Sequence, residues 1–106
     1  MIFLAYELAT CINALCFNKK NKSFVLNSRK SSQLLKGYES IRKLSLKEKS
    51  NLNTLCRGSA LRYLLTRSYD YLNTPKNAII KIKDPMEYLD KLNFHRNVSS
   101  FKDYSR

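Results

Sequence analysis

Two glycines and two prolines in 106 residues leave this chain with very little punctuation. A small all-β fold needs a turn about every 8–12 residues, and turns draw on glycine, proline, asparagine and aspartate for their special backbone angles. The scarcity therefore argues for helices. The apolar residues agree, because in several segments they recur three and four positions apart, the spacing that builds one helix face. The expectation is an all-α fold: one helical domain over residues 1–106, with about four helices and a frayed tail over 99–106.

The first helix is expected from about Phe3 to Cys16. Within it Glu7, Thr10 and Asn13 make one narrow polar stripe, and Ile2, Phe3, Leu4, Ala5, Leu8, Cys11, Ile12, Leu15 and Phe17 surround it, a pattern that predicts burial on nearly all sides. The segment is shorter than the roughly 20 residues that span a bilayer and lacks the basic start and small-residue cleavage site of a secretion signal. No membrane association is expected. The polar run Asn18 to Lys22 ends the helix, and Phe24, Val25 and Leu26 pass briefly through the core. Ser28 is a candidate cap for a second helix with Leu34, Leu35, Tyr38 and Ile41 on its apolar face, stopping near Arg42. Ser45 and Glu48 read as a capping box, in which each side chain satisfies the other residue's free backbone N–H. The helix they open is predicted over Leu46 to Leu72, with Leu52, Leu55, Leu61, Leu64, Leu65 and Leu72 facing the core and Gly58, Ser59 and Ala60 forming a waist where another helix approaches. Asn77 to Lys83 reads as extended. Asp84, Pro85 and Glu87 predict a second box opening a last helix that buries Met86, Leu89 and Leu92.

Twenty Lys and Arg against eight Asp and Glu give a formal charge of +12. Such a charge attracts polyanions, so weak, non-specific nucleic-acid binding at low salt is expected. The second helix, the Lys43-Leu44 turn and the third helix could pass for a helix-turn-helix, which makes a basic nucleic-acid-binding or protein-interaction module the alternative reading. Against it, the basic residues are scattered over every segment rather than aligned on the third helix. Cys11, Cys16 and Cys56 are odd in number and two of them sit in apolar sequence, which suits a reducing cytoplasm.

A search for chemistry finds little. His95 is the lone histidine, no cysteine pair has metal-ligand spacing, and two isolated glycines make no phosphate loop, so no catalytic residue, metal site or cofactor is expected in this chain. Glu48, Asp84 and Glu87 are accounted for as caps, and Asp90 lies near the same helix start. Glu7 stands out, since a carboxylate in an apolar helix needs a partner or marks the edge of a site. Arg57, Arg62 and Arg67 step about 140° apart around a helix and cannot form one stripe; Arg67 is expected to pair with Asp70.

Four stretches, Leu4 to Phe17 (LAYELATCINALCF), Leu34 to Glu48 (LLKGYESIRKLSLKE), Leu55 to Pro75 (LCRGSALRYLLTRSYDYLNTP) and Lys83 to Arg96 (KDPMEYLDKLNFHR), resemble the C-terminal region of bacterial type II homoserine kinases. These belong to the aminoglycoside phosphotransferase and choline kinase superfamily. Glu7 stands where that family has aspartate, and Leu15 and Tyr71 where it has tryptophan. The resemblance implies a protein-kinase-like fold that phosphorylates L-homoserine in threonine biosynthesis using ATP and Mg²⁺. It also implies that this chain is the helical C-terminal lobe, inactive alone because the nucleotide and metal motifs have no match in it. Glu7, Arg57 and Arg62 are the residues expected nearest an acceptor pocket. The expected partner is a separately encoded N-terminal kinase fragment, or a second copy bound through the first helix.

Overall fold

A computed structural model describes residues 2–74 and 84–105, except for the side chains of Ile2 and Phe3. The elements are α1 (Ile2–Leu15), β1 (Phe17–Lys20), β2 (Ser23–Leu26), α2 (Ser28–Ile41), α3 (Leu46–Asn73), α4 (Met86–Arg96) and α5 (Lys102–Ser105). Helix dominates, as the spacing predicts, with one small sheet added. The expected extended stretch Asn77 to Lys83 lies outside the described residues.

The sheet corrects the reading of residues 18–26. The polar run is not merely a helix stop: β1 and β2 pair antiparallel with Phe17 opposite Leu26 and Lys20 opposite Ser23. The two-residue turn between them places Asn21 at φ 57, a left-handed conformation that asparagine tolerates better than most side chains. Phe17, Phe24 and Leu26 are half-buried while Val25 is exposed, the alternation of a ribbon with one face on the core.

The caps decide where the helices begin. The Ser45–Glu48 box forms as expected, with the Glu48 amide donating to Ser45 Oγ at 3.1 Å and the Ser45 amide to Glu48 Oε1 at 2.9 Å. The Ser45 N–H and the Arg42 guanidinium, 2.9 Å away, hold the Glu48 carboxyl down at about 2. α2 is capped by Asn27 rather than Ser28, its side chain accepting from the Lys30 amide at 3.1 Å. The second predicted box does not form. Pro85 occupies the cap of α4, Asp84 Oδ1 accepts from the Met86 amide at 2.9 Å, and Glu87 is drawn away to two basic side chains. Within the expected tail, residues 102–105 form α5, whose Tyr104 is fully buried against α2 and α3.

α3 is the spine, packed along α1 and α4, while α5 seats on α2 and β2 lies on α4. The core joins Leu8, Ala9, Ile12 and Cys16 of α1 with Leu35, Leu44, Leu52, Cys56 and Tyr104. Two helix faces differ from expectation. In α1 the polar Asn13 is fully buried and Thr10 reaches Ser59 Oγ at 3.1 Å, whereas Leu15 is 62% exposed. In α3 the contact face is Leu52, Cys56, Ser59 and Ala60, while Leu61, Leu65 and Leu72 are exposed, and Ile41 of α2 and Met86 of α4 point outward too. The waist is Ser59 and Ala60 alone, because Gly58 is exposed and a Cβ there would meet nothing within 4 Å.

Candidate functional site

The most organised group of polar side chains is wholly buried, where α1, α3, α4 and α5 meet. Asn13 Nδ2 donates to the Cys56 carbonyl at 3.0 Å, and its Oδ1 lies 2.6 Å from His95 Nε2. The other ring nitrogen, Nδ1, is 2.8 Å from the Tyr104 hydroxyl. Asn53 Nδ2 donates both to that hydroxyl at 2.9 Å and to the His95 carbonyl at 2.7 Å. Burial, then the positive charges of Arg57 and Lys91, push the His95 ring down to about 4, so it is neutral at physiological pH. Burial also pushes the Cys56 thiol up to about 12 and raises Cys16 and the Tyr104 phenol, so no thiolate or phenolate is available there near neutral pH. With both ring nitrogens engaged, His95 ties four helices together and cannot act as a base toward solvent.

A second cluster lies at the α3–α4 contact. Glu87 accepts from Arg67 at 2.8 Å and from Lys91 at 2.6 Å. Lys91 is 2% exposed, with its ammonium 4.5 Å from the Tyr88 ring centre and 5.4–5.5 Å from those of Phe24 and Phe17. Arg67 lies 4.4 Å above Tyr88, which stacks on Tyr63. Burial pushes the Glu87 carboxyl up, but the hydrogen bonds and charges of Lys91 and Arg67 outweigh it and hold the group below its ordinary value. Burial likewise lowers Lys91, with Glu87 opposing. Arg67 is thus committed to Glu87 across the helix contact, not to the expected Asp70 one turn away.

The three residues singled out from the sequence sit elsewhere. Glu7 and Arg62 are both exposed, and Arg62 is held above its ordinary value by the Tyr6 hydroxyl first, with Tyr63 and the Glu7 carboxylate adding to it, which puts these groups on one edge of the α1–α3 pair. Its guanidinium lies 5.3 Å from the Tyr63 ring centre. Arg57 is exposed and close enough to the α4 side to act on His95. Glu7 and Arg62 therefore share this edge without a salt bridge shown between them, and Arg57 stands apart, as its 140° step around α3 requires. The buried node was missed from sequence, although Asn13 inside an apolar helix was the available signal: a buried amide needs partners, and the lone histidine was a candidate.

Among the described residues no three His, Cys, Asp or Glu side chains group so as to hold a metal ion, and no helix is long and apolar enough to cross a membrane. An open groove of about 610 Å³ between the start of α3 and residues 98–102 is lined by Leu46, Asn53, Phe101 and others, with Lys49 lying over the Phe101 ring at 5.5 Å.

No family model matches the chain. Curated relatives do. The chain is 55% identical over 102 residues to a homoserine kinase of Sinorhizobium fredii, covering 96% of this chain and 30% of the relative. It is 51% identical over 102 residues to a homoserine kinase of Xanthobacter autotrophicus, with 96% and 31% covered, and 50% identical over 101 residues to one of Rhizobium rhizogenes, with 95% and 30% covered. The chain thus spans about 30% of the length of the curated relatives it matches.

Proposed function

We propose that this chain is the C-terminal, acceptor-side helical part of a homoserine kinase-like phosphotransferase of the type II kind, acting in threonine biosynthesis in the cytoplasm. The observation that carries the reading is identity near one half to homoserine kinases over almost the whole chain, confined to 30% of their length. Phosphoryl transfer rests on holding nucleotide, metal and acceptor in line at once, so a part without the nucleotide-binding motifs contributes only positioning. ATP and Mg²⁺ belong to the portion of such a protein that this chain does not span, and the chain by itself is inactive. The presence of Glu7 and Arg62 on one exposed edge supports a place beside the acceptor, because a carboxylate and a guanidinium complement the ammonium and carboxylate of an amino acid. Arg57, on another side of α3, is removed from that role. The outward Leu4 and Leu15 of α1, 37% and 62% exposed, support a covering partner there. That partner is a complementary kinase portion, with self-association through α1 as the weaker case.

The test is complementation. The chain is mixed with the Sinorhizobium fredii homoserine kinase from which the matched 30% has been removed, and ATP-dependent phosphorylation of L-homoserine is followed. Activity is expected only in the mixture, and Glu7→Lys or Arg62→Glu should reduce it at least tenfold, about 1.4 kcal/mol of lost positioning. A mixture that binds firmly but stays inactive would overturn the reading.

A further inference from the structure

The hydrogen-bond inventory of the buried node gives another proton only a weaker arrangement. Because Asn13 Nδ2 is spent on the Cys56 carbonyl, Asn13 Oδ1 faces His95 Nε2, and that nitrogen carries the ring's N–H. Nδ1 is then the acceptor for the Tyr104 hydroxyl, which in turn accepts from Asn53. A second ring proton can settle only on Nδ1, where it turns the Tyr104 O–H away from the ring and leaves it only the Cys56 thiol, a weak acceptor, as a partner. The charges that act on the ring are both positive, Arg57 from α3 and Lys91 from α4, the latter already paired with Glu87. α1 faces it with the neutral Asn13, β1 with the Phe17 ring and α5 with Tyr104, whose phenol feels Asp103 and the Cys56 thiol. The element bearing Tyr104 is also the shortest helix, four residues long. Besides the Tyr104 hydroxyl it is fastened by two serines of α2, Ser31 Oγ donating to the Tyr104 carbonyl and Ser32 Oγ to the Ser105 carbonyl at 3.3 Å.

We propose that His95 makes the docking of α5 acid-labile: a proton on Nδ1 takes from the Tyr104 hydroxyl its strong acceptor, and residues 99–105 leave α2 and α3 while α1 to α4 stay packed. The inference is independent of any kinase reading. The ring's affinity for a proton is lower docked than free, so docking is at full strength above the ordinary histidine value of 6.5 and weakens as pH falls from there toward about 4. Local release is expected before global unfolding because the Leu8, Ile12 and Leu52 packing has no titrating group and outlasts the loss of one short helix.

Hydrogen exchange of the full chain from pH 7 to pH 4, corrected for the intrinsic pH dependence of exchange, tests this. Protection over 99–105 should fall on the order of a hundredfold, the ratio corresponding to a displacement from 6.5 to about 4, while residues 52–60 keep theirs. His95→Gln retains a donor for Asn13 and an acceptor for Tyr104 without a titrating proton, and its protection over 99–105 should be independent of pH. Should that variant fail to fold, nitrogen-15 NMR of the wild-type ring decides: the Nε2–H tautomer at neutral pH should be lost in step with α5 protection. Flat protection over 99–105, an equal fall in His95→Gln, or loss of 99–105 and 52–60 in one transition would each overturn the proposal.

Discussion

The two halves of α3 are alike in sequence and opposite in fate. From Leu46 to Ala60 the helix starts on a complete capping box and buries Glu48, Leu52, Cys56, Ser59 and Ala60. From Leu61 to Asn73 it carries Leu61, Leu65, Tyr69, Tyr71 and Leu72, all large and apolar, and these are 45%, 61%, 67%, 61% and 80% exposed. The difference is one of neighbours. The first half lies where α1, α4 and α5 converge on small side chains; in the second half the contacts of Tyr63 and Arg67 with α4 hold one side, and the leucines look away from it. Apolar spacing reports that a helix has a sticky face, and only the arrangement of the other helices reports whether that face is covered.

The strongest way to break this comparison is to truncate one leucine in each half. Leu52→Ala removes a side chain that is 1% exposed and should cost about 2–5 kcal/mol by urea denaturation, whereas Leu65→Ala should stay within about 0.5 kcal/mol. Equal costs would mean that the outer leucine is buried after all. Next in size is Asn13→Leu, which leaves the buried His95 N–H unpaired and takes from the Cys56 carbonyl of the inner half the bond it accepts besides its helical one; a loss of about 2 kcal/mol is expected by the same measurement. If water replaced the amide, the loss would shrink toward zero.

The cap gives the smallest effects. Ser45→Ala should cost about 1 kcal/mol and fray the first turn of α3, read as lost exchange protection near Glu48, with the outer half unaffected. Acid should do the same in the parent chain. The Glu48 carboxyl is depressed by folding, so its support is present above its ordinary 4.5 and is lost as pH falls from there through about 2. Protection of that turn which did not change between pH 5 and pH 2 would remove Glu48 from the cap.

Much of the local structure was legible because it depends on neighbours in sequence. The Ser45–Glu48 box, the bounds of α3 and the stop at Arg42 follow from residues within four positions of one another. The failures arise where something beyond that local pattern decides. Asp84, Pro85 and Glu87 carry the spacing of a box, but Arg67 and Lys91 offer Glu87 charge-assisted bonds that a backbone N–H does not match. The tail Ser99 to Arg106 looked unsupported because its anchor Tyr104 finds Ser31, Asn53 and His95, the first two more than 50 residues away. The hairpin was hidden because a two-residue Asn21-Lys22 turn lacks the usual glycine.

The sequence by itself determined that this chain is helical, where most of its helices start and stop, that it is strongly basic, and which kinases it resembles, since composition, caps and motif order are properties of the chain read in line. Only the tertiary structure decided which polar residues go inside. Asn13, Lys91 and His95 have no apolar spacing to mark them as buried, and a buried polar group is tolerable only when a partner from elsewhere in the chain meets it at hydrogen-bond distance. That condition is set by where the helices meet, and no local reading of the residues could supply it.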